Sequence, residues 1–144
     1  MDIKSPDRVL IRAGFLLFTL ALLTGFVIPS LPNPRMGLAA HQTGVMNALV
    51  LMALGLAWGL LAMTPLQAKF TRVAFLYATY VNWGSSILAA AWGTTRLTPL
   101  AAVGYGAAPW RETVGQALQV SLALAIVAGA VSVIYALRPR PAAG

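Results

Sequence analysis

Four apolar runs constrain this chain more than anything else in it. They extend over approximately 9–28, 38–63, 70–92 and 113–137. Each is long enough to cross a bilayer, which takes about 20 residues of helix. Lipid offers no water to a backbone N–H or C=O, so each run must satisfy its own hydrogen bonds as helix. Composition agrees: of 144 residues, 59% are hydrophobic and 9% charged, too little charge to cover a soluble surface. The expectation is a single all-α integral membrane domain over 1–144, a four-transmembrane-helix bundle with links at 30–37, 64–69 and 93–112. The first run shares its charged start with signal peptides. It stops at Pro29-Ser30-Leu31-Pro32-Asn33-Pro34, which is not a small-residue cleavage site, so it reads as an anchor.

The basic residues fall at the ends of the runs. Lys4, Arg8, Arg12, Lys69, Arg72, Arg138 and Arg140 belong to one side, and Arg35, Arg96 and Arg111 to the other. The positive-inside bias then places both termini in the cytoplasm and makes the chain a multi-pass protein of an inner membrane. The same scatter assigns the basic pI of about 10.9 to lipid headgroups and topology, not to nucleic acid. The absence of cysteine excludes disulfides, iron–sulfur clusters and thiolate zinc sites.

Polar groups inside a membrane are costly, so each asks for a partner or a purpose. His41 is the only histidine, near the outer end of the second run. Asn47 lies on a face turned away from it, against another helix. Thr79, Asn82 and Ser86 share one face of the third run, flanked by Trp83 and Trp92. Glu112, Gln116 and Gln119 share one face of the fourth. All gather towards the outer half, where a polar pocket can form. Each also has a plainer reading. His41 can bond a backbone carbonyl, Asn47 and Asn82 can hold helices together, Glu112 can suit the positive end of a helix, and Trp92 can anchor at the interface. Gly55-x-x-x-Gly59 reads as close helix packing.

This set excludes several chemistries. There is no intramembrane carboxylate pair, no second soft metal ligand but methionine, and no phosphate-binding glycine motif. Neither Asp2 nor Asp7 can reach His41 across the membrane to complete a triad. One histidine can ligate a haem iron and leave the opposite face open, or act as a single general acid or base.

The strings Thr24-Gly25-Phe26-x-Ile28-Pro29 and Asn33-Pro34-Arg35-Met36-Gly37-Leu38-x-Ala40-His41-x-x-Gly44-Val45-Met46-Asn47 resemble those of the hydroxylaminobenzene mutases. So do Tyr77-x-x-Tyr80-x-Asn82-Trp83, Ala91-Trp92-Gly93 and Pro99. The resemblance spans roughly 9–137 with the same four-span plan. That family often carries an acid two positions after the histidine; here Thr43 stands there, which leaves Glu112 as the nearby carboxylate.

The resemblance implies an isomerase that converts an aromatic hydroxylamine, hydroxylaminobenzene or a substituted analogue such as hydroxylaminobenzoate, into an ortho-aminophenol, as in nitroaromatic degradation. Two versions follow from the residues. In one, His41 ligates the iron of haem b, and Arg35 or Arg111 pairs with a propionate or a substrate carboxylate. In the other there is no cofactor: His41 or Glu112 donates a proton to the leaving oxygen while Asn47 and Asn82 hold the hydroxylamine. Tyr80 and Trp83 line the aromatic slot in both, with Arg96 a further substrate contact. The small-residue stripes Gly44/Ala48 and Ala123/Ala130 point to a homo-oligomer, a trimer before a dimer. The alternative is a non-catalytic membrane subunit, a small haem-binding cytochrome or anchor.

Overall fold

The computed structural model describes residues 5–138, so Asp2, Lys4 and Arg140 lie outside it. Four α-helices form among the described residues: α1 (Arg8–Val27), α2 (Pro34–Ala57), α3 (Pro65–Trp92) and α4 (Pro109–Ala136). Three begin earlier than their hydropathy suggests, and the reason is local. Pro34, Pro65 and Pro109 open α2, α3 and α4. Proline is favourable there, because its missing N–H has no intrahelical partner to lose and its φ is already helical. Asn33 caps α2 by accepting from Met36 N at 3.2 Å, Thr64 caps α3 through Gln67 N, and Asp7 caps α1 through Val9 and Leu10 N. The first turns are polar, so an apolar-run reading trims them. α2 tightens into a 3-10 turn at Trp58–Leu60, and α3 ends at Gly93, whose φ of 68° makes a left-handed cap.

The helices stand in a row. α1 packs along α2, α2 on α3, and α3 on α4, while α1 meets α3 only slightly. α4 has its helix packing on α3 alone. The expected bundle is therefore open, with α1 and α4 as its two edges. α1, α2 and α4 are long and apolar enough to cross a membrane. α3 is not counted with them, since it carries Gln67, Lys69, Arg72, Asn82, Ser85 and Ser86. Its place between α2 and α4 buries Ser85 and Ser86 and half-buries Gln67, Arg72 and Asn82, while Lys69 is exposed in the second turn. Outside, Phe26, Met46, Leu56, Leu124, Val127 and Ile134 are exposed, an apolar exterior that marks a membrane protein.

Hydrogen bonds sort the ends. At one end Asp7 N donates to Gly55 O at 2.9 Å, the Arg72 guanidinium grips the Asp7 carboxylate at 2.6–2.7 Å, and Ala62 N donates to Ala136 O at 3.1 Å. At the other, fully buried Asn33 donates from its backbone to Ala90 O at 3.0 Å and from its side chain to Ala101 O at 3.2 Å. The described basic residues divide between these ends as their sequence order suggests.

Two kinds of contact join the helices. Between α1 and α2, glycines bring the backbones together. A Cβ on Gly14 would lie 2.9 Å from Ala48 O, and one on Gly55 would lie 3.0 Å from Asp7 O. Gly55 is thus packing, as its spacing suggested. Gly44 and Ala48 are buried in the same way within the chain. That corrects one expectation: this stripe is spent on internal packing and is not free for contact with a second copy. Between α3 and α4 the contacts are a ladder of polar pairs. Gln67 and Thr71 bond Ser132, Tyr77 bonds Ser121, Gln119 donates to Ser85 Oγ at 2.9 Å, and Arg96 donates to Gln116.

Candidate functional site

His41 sits about two turns into α2, where α1 passes close by. Its Nδ1 is 2.7 Å from the Ala21 carbonyl oxygen of α1. A carbonyl can only accept, so Nδ1 carries a proton, and in the neutral ring the free lone pair is on Nε2. The ring is half-buried and borders an open concavity with Gln42, Val45 and Met46. That concavity is on the outer surface of α2, and nothing else in the chain closes it among the described residues.

Trp83 of α3 meets the same turn of α1. Its Nε1 donates to Thr24 Oγ1 at 3.2 Å, and the indole lies so close to Gly44 that a Cβ there would be 2.6 Å from Cδ1. Ala21, Thr24, Gly25, His41, Gly44 and Trp83 therefore form one junction of three helices. Thr24 and Gly25 belong to it although periodicity alone gave them no role. The signal was present only in the Thr24-Gly25 string.

The other candidates are spread around this junction. Asn47 donates to Thr79 O of α3 at 3.2 Å, which is the interhelical bond its face suggested. Asn82 is half-buried, and its side-chain amide has no hydrogen-bond partner among the described residues, while its carbonyl accepts from Ser85 and Ser86. Tyr80 donates to Ala13 O at 2.8 Å. Ala13 lies about 12 Å from Ala21 along α1 at ~1.5 Å per residue, so this hydroxyl belongs to a lower level than His41.

The charged candidates gather elsewhere. The Glu112 carboxylate accepts from Thr95 N at 2.8 Å, Thr95 Oγ1 at 3.2 Å and Arg96 N at 3.1 Å. It staples the turn after α3 to the first turn of α4, and it shares neither a hydrogen bond nor a concavity with His41. Arg96 donates to Gln116 at 3.1 Å. Arg111 holds its guanidinium 5.7 Å from the Trp92 ring and 5.3 Å from Trp110, two rings that meet edge-on at 5.4 Å. Its buried Nε has no hydrogen-bond partner among the described residues. Arg35 is exposed in the first turn of α2. None of the three arginines borders the His41 concavity.

The staple makes a testable distinction. Glu112→Ala strips two backbone N–H groups and a hydroxyl of their acceptor, and is expected to lower stability by about 1–3 kcal/mol. Turnover per folded molecule is expected to hold. Thermal unfolding in detergent alongside the rate checks this; an inactive variant of undiminished stability would move Glu112 into the chemistry.

Comparison with known proteins bears on what the junction does. The hydroxylaminobenzene mutase HabB of Ectopseudomonas oleovorans is 38% identical over 136 residues, covering 94% of this chain and 83% of that protein. The hydroxylaminobenzene mutase HabA of the same organism is 36% identical over 129 residues, covering 89% of this chain and 96% of that protein. No solved structure matches significantly. The resemblance seen in the motifs thus extends along the chain, and the reading of a non-catalytic subunit gives way to an enzyme. The profile of the styrene oxide isomerase family matches residues 6–138, from the cap of α1 to the end of α4: the chain belongs to that isomerase family.

Proposed function

We propose that this protein rearranges an aromatic hydroxylamine into an ortho-aminophenol, working at the His41 junction of a four-span protein of an inner membrane with both termini in the cytoplasm. The observation that supports it most is the fixed histidine: Nδ1 is engaged by Ala21 O and Nε2 is left free beside an apolar opening. Similarity to two hydroxylaminobenzene mutases supplies the substrate class. In Ar–NHOH, as in styrene oxide, the oxygen sits on the atom attached to the ring. Breaking that bond towards oxygen leaves positive charge that the ring delocalises, so both are redox-neutral isomerisations begun by one polarised bond.

The steps balance without an oxidant. A proton reaches the hydroxylamine oxygen, the N–O bond breaks and water leaves. Water adds at the ortho carbon and gives up one proton, replacing the one consumed. The hydrogen of that carbon leaves as a proton while nitrogen takes one up, which restores the ring and gives the amine. Fixed donors and orientation would supply most of the acceleration. Asn82, whose amide has no hydrogen-bond partner among the described residues, and Asn47 are the groups proposed to hold the N–OH unit. Trp83, packed against Gly44 and bonded to Thr24 in the same junction, and Tyr80, which meets α1 further along, are proposed to line the aromatic slot. Arg96 is proposed for a carboxylate on a substituted substrate, although it does not border the concavity within one chain.

His41 is also the residue that would hold haem b, through Nε2. A metal-bound histidine is ordinarily oriented by a hydrogen bond from its other nitrogen, which Ala21 O provides here. Arg35 and Arg111, each without an acidic partner among the described residues, are the cations proposed for the propionates, although neither borders the His41 concavity within one chain. When bound, the haem would supply an electron-accepting iron to polarise the N–O bond. Without it, a protonated His41 would present Nε2–H to the leaving oxygen. Glu112 is a weaker proton donor in this reading, since its carboxylate is already bonded to the Thr95–Arg96 turn.

The concavity stays open in a single chain, and α4 packs on α3 alone, so the working unit is proposed to be a homo-oligomer, a trimer, with Ala123 and Ala130 on the free side of α4. The test is direct. Detergent-purified protein is mixed with hydroxylaminobenzene and, separately, with styrene oxide, and products and the Soret region are followed. Aminophenol with a Soret band that shifts on mixing supports the haem version; aminophenol without a band supports the acid–base version. No aminophenol, with or without conversion of styrene oxide, overturns the proposed substrate.

Asn82→Ala is expected to cut the rate about 10-fold or more with little change in melting temperature, because the amide makes no hydrogen bond to the described residues. Asn47→Ala is expected to cost both rate and roughly 0.6–2 kcal/mol of stability, since it also removes the bond to Thr79 O. Equal loss of rate and stability in Asn82→Ala would return it to a packing role.

A further inference from the structure

We infer that Gly25 is a positioning residue: by carrying no side chain it leaves the Ala21 carbonyl uncovered, and so sets the tautomer and orientation of His41. The inference rests on the reading of His41 as the working imidazole. In α1 the Ala21 carbonyl takes the N–H of Gly25 as its helical partner. A second lone pair remains. Helical Cβ atoms lean towards the N-terminus, so the side chain four positions on ordinarily shields that carbonyl from a neighbouring helix. At position 25 the shield is missing, and His41 Nδ1 comes within 2.7 Å of the oxygen.

The space is fully used. A Cβ on Gly25 would lie 3.3 Å from Nδ1 and 3.4 Å from Cε1 of His41, so alanine forces a shift of a few tenths of an ångström and valine takes the place of the ring. The neighbour Thr24 does the complementary work. Its hydroxyl donates to Leu20 O at 2.9 Å and accepts from Trp83 Nε1 at 3.2 Å, closing the other side of the junction. A neutral histidine in water favours a proton on Nε2. The carbonyl reverses that preference and leaves Nε2 as the unengaged nitrogen of a ring that borders the concavity with Gln42, Val45 and Met46.

The chain holds one histidine, so its ring nitrogens can be read without assignment ambiguity. The experiment is ¹⁵N NMR of the full chain in detergent, made in haem-depleted cells and held in mildly alkaline buffer, with turnover measured in parallel. The native ring is expected to show one tautomer, protonated at Nδ1. Gly25→Val is expected to show a mixture or the opposite tautomer and to lose turnover roughly 10- to 100-fold, the usual cost of removing an orienting partner. Gly25→Ala should fall between. Gly84→Ala, where a Cβ meets nothing within 4 Å, should match the native protein in both readouts. A native ring protonated at Nε2, or a Gly25→Val ring with the native tautomer, overturns the inference. The native spectrum decides even if Gly25→Val fails to fold. A fully active His41→Ala protein would overturn the role of His41 in the reaction and leave the tautomer result standing, so the two failures are separable.

Discussion

His41→Ala is expected to lower aminophenol formation by roughly 10²- to 10⁴-fold, the range for losing a positioned acid–base group. The fold is expected to survive. The ring is half-buried and makes one hydrogen bond to protein, to Ala21 O, so its loss should cost about 1 kcal/mol for that bond plus a modest packing term. The junction keeps its other fastenings, Trp83 on Thr24 and Asn47 on Thr79 O. The measurement is product formation from hydroxylaminobenzene at matched amounts of folded protein, with thermal unfolding beside it. If the protein holds haem, the variant should also emerge without it. Because the ring borders a concavity open to the surface, added imidazole should recover part of the rate. A variant with full activity would remove the imidazole from both versions of the mechanism at once, since each needs Nε2.

How much of this was legible beforehand depends on what kind of contact carries it. The apolar runs were plain because hydrocarbon length is a local property, and the lone histidine was plain because nothing competes with it. The division of the arginines between two ends also followed from order alone, and Asp7–Arg72 and Asn33–Ala90 join the ends in the same pairing. Helix starts were misread by about a turn, yet the information was there in the pairs Asn33-Pro34 and Thr64-Pro65. A cap followed by proline outranks hydropathy at a helix end.

Faces were legible but their partners were not. Glu112, Gln116 and Gln119 do share a face, as their spacing required. Periodicity says which residues point together and not what covers them, and here the cover is the turn at Thr95–Arg96 and Ser85 of α3. The same limit applies to Gly44 and Ala48, whose small side chains admit α1 and Trp83 and leave nothing for a second chain. Gly25 was the least legible. Its effect is an uncovered carbonyl on one helix met by a ring from another, and no window along a single helix contains both.

Gly14→Val is expected to be the most damaging single change to the fold. A Cβ at position 14 would stand 2.6 Å from Met52 Cγ, 2.9 Å from Ala48 O and 3.1 Å from Met52 N. The methionine side chain could move aside. The carbonyl and amide of α2 cannot, since both belong to the helix, so α1 itself must withdraw. Overpacking of this kind costs about 1–3 kcal/mol and more when backbone is displaced. The position is far from His41 along α1, but the helix moves as one body, and Ala21 O moves with it. Activity should therefore fall further than the melting temperature predicts, by loosening the bond to Nδ1. Gly84→Val, on a helix face with no atom within 4 Å of the new carbon, supplies the comparison and should change neither by much. Unfolding in detergent and the rate on hydroxylaminobenzene would separate the two: a Gly14→Val protein as stable as native would mean that α1 and α2 do not touch through their glycines, and the carbonyl that orients His41 would then have to be held by other contacts.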